Sequence, residues 1–147
     1  MRILIVEDDY LQYEWLVSEI KIEFRNCIVD VIQTEFEFRE KLDWIESNPP
    51  NIILMDIMLR WTDPSPNMVL PPPEIIKASF YDAGFRCQEL LSQRENTKRI
   101  PIIFYSVLDK DDLEKKLKEV KTKFIHMKKD SDTSFLFSQM WKLIKAK

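Results

Sequence analysis

The chain reads as an α/β protein: a doubly wound, five-stranded parallel sheet, (βα)5, with an extended loop and helix inserted after the third strand. Three observations predict this. Short apolar runs at 3–6, 52–55, 102–105 and 124–127 are too continuous for strands with one wet face, as expected when helices cover both sides of a sheet. Stretches with apolar residues at helical spacing alternate with these runs. Right-handed crossovers between parallel strands then place helices on both faces.

Taken in order, the first strand (3–6) leads into a helix whose apolar residues include Leu11, Trp15, Leu16, Ile20 and Phe24, spaced for one face. Asp9 either caps this helix or stays in solvent. Residues 27–32 are β-branched and strand-like. Thr34 is placed to cap a second helix with Phe36, Leu42 and Ile45 facing inward, and Asn48-Pro49-Pro50 ends it. The third strand covers 52–55. Pro101 stands at the start of the fourth, where a missing N–H matters least. Leu113, Leu117 and Val120 mark the next helix. The last helix carries Phe135, Leu136, Met140, Trp141 and Ile144, with Phe135, Met140 and Trp141 expected in the core.

The interval between Asp56 and Ile102 is too long for one loop, one helix and one turn. Pro64, Pro66 and Pro71-Pro72-Pro73 force extended or turn backbone there, and Pro73 suits the first position of a short helix. Trp61, Val69, Leu70, Ile76, Phe80 and Tyr81 make the insert, roughly 60–83, too apolar for a solvated linker. It is expected to pack on its own domain, either as a plain elaboration or as a specificity element that covers a site or docks a partner.

With 147 residues, 45% of them hydrophobic, the length fits a single domain, 1–147, with a proper core. A net charge of −3 argues against nonspecific nucleic-acid binding. The eleven lysines against six acids after residue 109 read as a solvated helix face. No apolar stretch approaches the roughly 20 residues needed to cross a bilayer, and Met1 leads directly into a strand pattern, so a cytoplasmic protein with no membrane partner is expected. Cys27 and Cys87 are read as separate buried thiols.

In open α/β sheets, ligands bind at the carboxyl ends of the strands. Here those ends carry Glu7 and Asp8, Asp56, Ser106, and Lys128 or Lys129. Three converging carboxylates repel one another and call for a cation. Magnesium, with its demand for oxygen ligands, suits them, and a hydroxyl and an ammonium suit phosphoryl oxygens. Asp56 is then a candidate nucleophile toward a phosphoryl donor, with Asp8 on the metal and Glu7 beside it or acting through water.

These residues resemble the receiver domain of two-component response regulators. VEDD after an apolar strand, Asp after NIILM, Ser after PIIFY and Lys near the last strand carry the likeness, and it covers the chain apart from the insert. The resemblance implies a flavodoxin-like fold and a stand-alone, chemotaxis-regulator-like response regulator taking part in a phosphorelay. It implies Asp56 as phospho-acceptor, Ser106 as switch hydroxyl, Lys128 as the active-site lysine, and Mg²⁺ held by Glu7, Asp8, Asp56 and the Met58 carbonyl. The expected partners are a sensor histidine kinase or phosphotransfer protein and a downstream protein target, with a homodimer left open. No catalysis on a separate metabolite is expected. Gly84, the only glycine, matches the one that opens the third helix of the family.

The departures are Arg60 where the family has proline, about twenty extra residues before Gly84, and Lys128-Lys129-Asp130 where lysine is followed by proline. Counting from Ser106 favours Lys128; counting back from Leu136 favours Lys129. The aromatic switch position then falls on Ile125 or on His126, the latter otherwise read as structural on an edge strand. Val107 stands where the family has a smaller residue and narrows access. The rival readings are a degenerate receiver that binds a partner without phosphorylation and an aspartyl phosphatase, which lacks its second acid because Met58 stands there. One glycine excludes P-loop and dinucleotide fingerprints.

Overall fold

The computed structural model describes residues 1–120, 122–130 and 132–146. Its strands are β1 (Arg2–Val6), β2 (Ile28–Ile32), β3 (Ile52–Met55), β4 (Ile102–Ser106) and β5 (Phe124–Lys128). They form one parallel sheet in the order β2-β1-β3-β4-β5, the doubly wound arrangement expected. Helices α1 (Tyr10–Glu23) and α7 (Thr133–Lys145) cover one face. Helices α2 (Glu35–Glu40), α3 (Leu42–Ser47), α5 (Ala83–Ser92) and α6 (Lys110–Glu119) cover the other. No helix among the described residues is long and apolar enough to cross a membrane.

Strand alternation splits the core in two. Leu4, Val6, Ile53, Met55, Ile102 and Phe104 point toward α2, α3, α5 and α6. Ile3, Ile5, Ile52, Leu54, Ile103, Tyr105 and Met127 point toward α1 and α7. This period of two continues past the strand ends and decides which polar side chains meet.

Local capping follows the sequence. The Asp9 carboxylate accepts from the Gln12 N–H at the start of α1, and Thr34 Oγ1 accepts from the Glu37 N–H at the start of α2. Several expected core positions differ. Leu11 and Trp15 are exposed, and Tyr13 joins Leu16, Ile20 and Phe24 inside. The stretch after Thr34 breaks at Lys41 into α2 and α3, and Phe38 rather than Phe36 enters the core. Phe36 instead packs on Trp61. On α7, Met140 is buried, Trp141 is half-buried against Phe24 and Phe135 faces solvent. Cys87 is fully buried and Cys27 partly so, both free thiols.

The insert is anchored at its ends rather than packed throughout. The carbonyls of Arg60 and Trp61 accept from the Glu35 and Phe36 N–H groups, satisfying otherwise orphaned donors at the start of α2. The Trp61 ring lies 5.6 Å from the Phe36 ring and below the Arg39 guanidinium, and its indole N–H donates to the Val69 carbonyl at 3.0 Å. Helix α4 (Pro73–Lys77) has Pro73 at its first position and buries nothing, while Met68, Val69, Leu70 and Ile76 are exposed. A single 3₁₀ turn, Phe80–Asp82, delivers the chain into α5.

Candidate functional site

The site forms where β1, β3 and β5 end. The Asp56 N–H donates to the Val6 carbonyl, the Glu7 N–H to the Ile32 carbonyl, and the Lys129 N–H to the Ser106 carbonyl, so ladder bonds carry the backbone of each polar residue to one edge. Glu7 continues the alternation of Ile3 and Ile5, Asp56 that of Ile52 and Leu54, and Lys129 that of Ile125 and Met127, so the three side chains share a face.

Lys129 Nζ bridges Glu7 Oε2 and Asp56 Oδ2, each at 2.7 Å, and all three side chains are largely buried. The other Asp56 oxygen, Oδ1, accepts from the N–H groups of Ile57 (2.7 Å) and Met58 (3.3 Å), and Glu7 Oε1 accepts from the Asp9 N–H. The Tyr105 hydroxyl donates to the Lys129 carbonyl and steadies that turn. Each carboxylate is thereby oriented by a backbone donor on one oxygen and by the ammonium on the other.

The expectation that Lys128 supplies the ammonium is corrected. Lys128 pairs with Ser106 in the ladder and its side chain lies on the opposite face, exposed and 3.0 Å from Asp109. Burial of Met127 against α1 and α7 sets the parity of β5, so the next same-face residue is Lys129. The register from Leu136 therefore holds, and the aromatic position falls on His126. This edge-strand imidazole is half-buried, and its Nε2 has no partner among the described residues. Burial and the nearby Lys110 ammonium hold its pKa below the usual histidine value.

Ser106 is fully buried, and its Oγ accepts from the Leu108 N–H at 3.4 Å rather than reaching toward Asp56. Among the described residues, Glu7, Asp8 and Asp56 each offer an oxygen within 4.8 Å of the others. They line a cavity of about 520 Å³ together with Met58, the residue whose carbonyl was expected as a ligand. Its rim holds Val107, as the sequence suggests, and Phe80 from the insert, which sequence reasoning did not assign to the site. Arg60, noted only as a departure, also lines it. Its backbone N–H and Nε both donate to Asp8 Oδ2, at 2.9 and 3.3 Å. A hard, all-oxygen set of three carboxylates fits a magnesium ion in donor chemistry.

Gly84 explains how closely α5 approaches the backbone at the end of β3. Its N–H donates to the Ile57 carbonyl, and a Cβ there would overlap the Asp56 carbonyl oxygen and lie 2.8 Å from Ile57 Cα. The need is for close approach, since its φ is not positive.

Burial and the neighbouring Asp56 charge push the Glu7 carboxyl up to about 7, against the pull of Lys129. Burial works against the Lys129 ammonium, but Asp56 and Glu7 outweigh it and hold its pKa above the ordinary value. Without metal, folded Glu7 keeps a proton that the unfolded chain, near 4.5, has released. That contribution to stability is complete below about pH 4.5 and is lost as pH rises through about 7. In chelator, the Tm of the protein should fall between pH 5 and 7 more steeply than that of Glu7→Gln; parallel curves would contradict the raised carboxyl. The Lys129 shift works at alkaline pH, outside this window.

No family model and no curated protein sequence matches the chain. Solved structures do. The receiver domain of a sensor histidine kinase from Pseudomonas aeruginosa PAO1, described with magnesium coordinated in its active-site cleft, aligns at a TM-score of 0.70 and 16% identity, over 98% of this chain and 97% of that one. The signal receiver domain of a DNA-binding response regulator from Colwellia psychrerythraea 34H gives 0.71 and 16%, over 99% and 98%. That of a signal transduction histidine kinase from Syntrophus aciditrophicus gives 0.66 and 21%, over 99% and 90%. The chain has the receiver-domain fold.

Proposed function

We propose that this receiver-like chain accepts a phosphoryl group on Asp56 from a histidine kinase or phosphotransfer protein and thereby switches its contacts with a downstream protein. One observation carries the reading: Lys129 bridges Glu7 and Asp56 at 2.7 Å at the carboxyl edge of the sheet, with Asp8 in reach of both acids. Magnesium would be held by Glu7, Asp8, Asp56 and the Met58 carbonyl, and when bound it neutralises charge on the transferring phosphoryl group. Asp56 forms the new P–O bond as the donor's P–N bond breaks, and the freed imidazole recovers its proton from solvent. The amides of Ile57 and Met58 orient the attacking carboxylate, and Lys129 offers an ammonium to the phosphoryl oxygens.

The acyl phosphate then carries roughly two negative charges in place of one. That charge draws the Ser106 hydroxyl away from the Leu108 N–H, and the loop leading to α6 follows. This is a switch with self-phosphorylation and autodephosphorylation chemistry, not catalysis on a separate metabolite. A cytoplasmic setting accords with such a role.

A second reading, a degenerate receiver that binds its partner without phosphorylation, is favoured by one contact, the Arg60 guanidinium on Asp8. Incubation with Mg²⁺ and acetyl phosphate, followed by intact mass, separates the two. A single phosphoryl adduct that vanishes in Asp56→Asn supports the first. No adduct, with partner binding indifferent to Asp56→Asn, supports the second.

A further inference from the structure

We infer that Arg60 is a built-in counter-ion that a divalent cation must displace from Asp8, so that metal occupancy is sensed at the root of the proline-rich insert. The inference rests on the metal-centre reading of Glu7, Asp8 and Asp56 and extends it to a residue outside the donor set.

Arg60 is held on Asp8 by several contacts. Its backbone N–H and Nε both donate to Oδ2, and Nη2 donates to the Asp8 carbonyl. Nη1 reaches Asp63 at 3.2 Å, so the guanidinium spans two acids. The Asp8 oxygen it engages belongs to one of the three carboxylates in ligating reach of one another. A guanidinium and a divalent cation compete for those lone pairs.

Formal charge points the same way. With Glu7 ionised, as metal ligation requires, three carboxylates and Lys129 leave a charge of −2, which one divalent ion balances. With Arg60 in place the balance is −1, and the metal would then leave an excess positive charge in a half-enclosed site. Arg60 and Asp8 are both partly solvated, so the exchange needs no buried charge to be abandoned. The displaced guanidinium retains Asp63 as its partner.

The consequence for the insert follows from the backbone. The Arg60 carbonyl caps Glu35 at the start of α2, and the next residue, Trp61, packs on Phe36 and holds Val69. A change at the Arg60 side chain is therefore delivered at the hinge of the segment that exposes Val69 and Leu70.

The test is calorimetric titration of Mg²⁺ into the full chain, with folding checked by circular dichroism. Arg60→Gln should bind Mg²⁺ about tenfold more tightly than the wild type, a modest fraction of the Coulomb energy of a close pair in a partly solvated site. Arg60→Lys, which keeps the charge but loses the fork of guanidinium donors, should fall between the wild type and Arg60→Gln. In the wild type, the Arg60 Nε–H resonance should shift and exchange faster as Mg²⁺ is added, a readout that needs no variant. Equal or weaker binding by Arg60→Gln, or an Nε–H resonance unmoved at saturation, overturns the counter-ion role and leaves the metal centre standing. No Mg²⁺ binding by wild type or variant overturns both.

Discussion

Lys129→Met is expected to abolish the phosphoryl adduct and to destabilise the fold, whereas Lys128→Met should leave both intact. The two residues are adjacent, but their surroundings differ. Lys129 is largely buried and serves two acids at 2.7 Å. Removing one member of a buried ionic group leaves uncompensated charge, at a cost of about 3–5 kcal/mol. Glu7 lessens the loss by taking up a proton, since burial and Asp56 already hold its pKa near 7. The penalty should therefore be smaller at pH 6 than at pH 8. Lys128 is exposed and pairs with Asp109 on the other side of β5, where water screens the interaction. Urea unfolding at the two pH values, with intact mass after acetyl phosphate and Mg²⁺, checks all of this. Loss of the adduct in Lys128→Met with retention in Lys129→Met would reverse the assignment.

Gly84→Ala is the second large effect. The added methyl would overlap the Asp56 carbonyl oxygen and approach Ile57 Cα to 2.8 Å. Both are backbone atoms at the end of a central strand, so neither can rotate away as a side-chain tip would. Either α5 lifts from the sheet or the end of β3 moves. Overpacking of this kind costs about 1–3 kcal/mol, and the upper end is expected here because the clash is with backbone. The displacement falls on the residue whose Oδ1 is oriented by the Ile57 and Met58 amides. A slower rate of adduct formation should therefore accompany the lower unfolding midpoint. Unchanged stability and rate would show that α5 sits farther from β3 than the Gly84–Ile57 hydrogen bond implies.

Much of the fold was legible because burial on both faces forces continuous apolar runs, and those runs stand out at 3–6, 52–55 and 102–105. The acids at their ends were legible for the same reason, since the polar residue that stops such a run marks its carboxyl edge. Asp56, Glu7 and Asp8 could be placed without coordinates. Caps such as Asp9 and Thr34 were readable because they depend only on neighbours three residues away.

The edge strand was another matter. Phe124, Ile125, His126 and Met127 are all bulky and only Met127 is well buried, so the alternation that would tell Lys128 from Lys129 is not written in residue type. Leu11, Trp15 and Phe135 misled because a helix can carry large apolar residues on its wet face, and spacing alone does not say which stripe meets the sheet. The contacts of Arg60 and Phe80 with the acidic cavity depend on how the insert folds back, over a separation no local pattern encodes. Strand identity and the acids that end β1 and β3 are thus properties of the chain itself, because they arise from short-range periodicity and burial. That Lys129 rather than Lys128 reaches Asp56, and that Arg60 reaches Asp8, are properties of the packed structure alone, because parity at an edge and the path of a long loop are set by distant contacts.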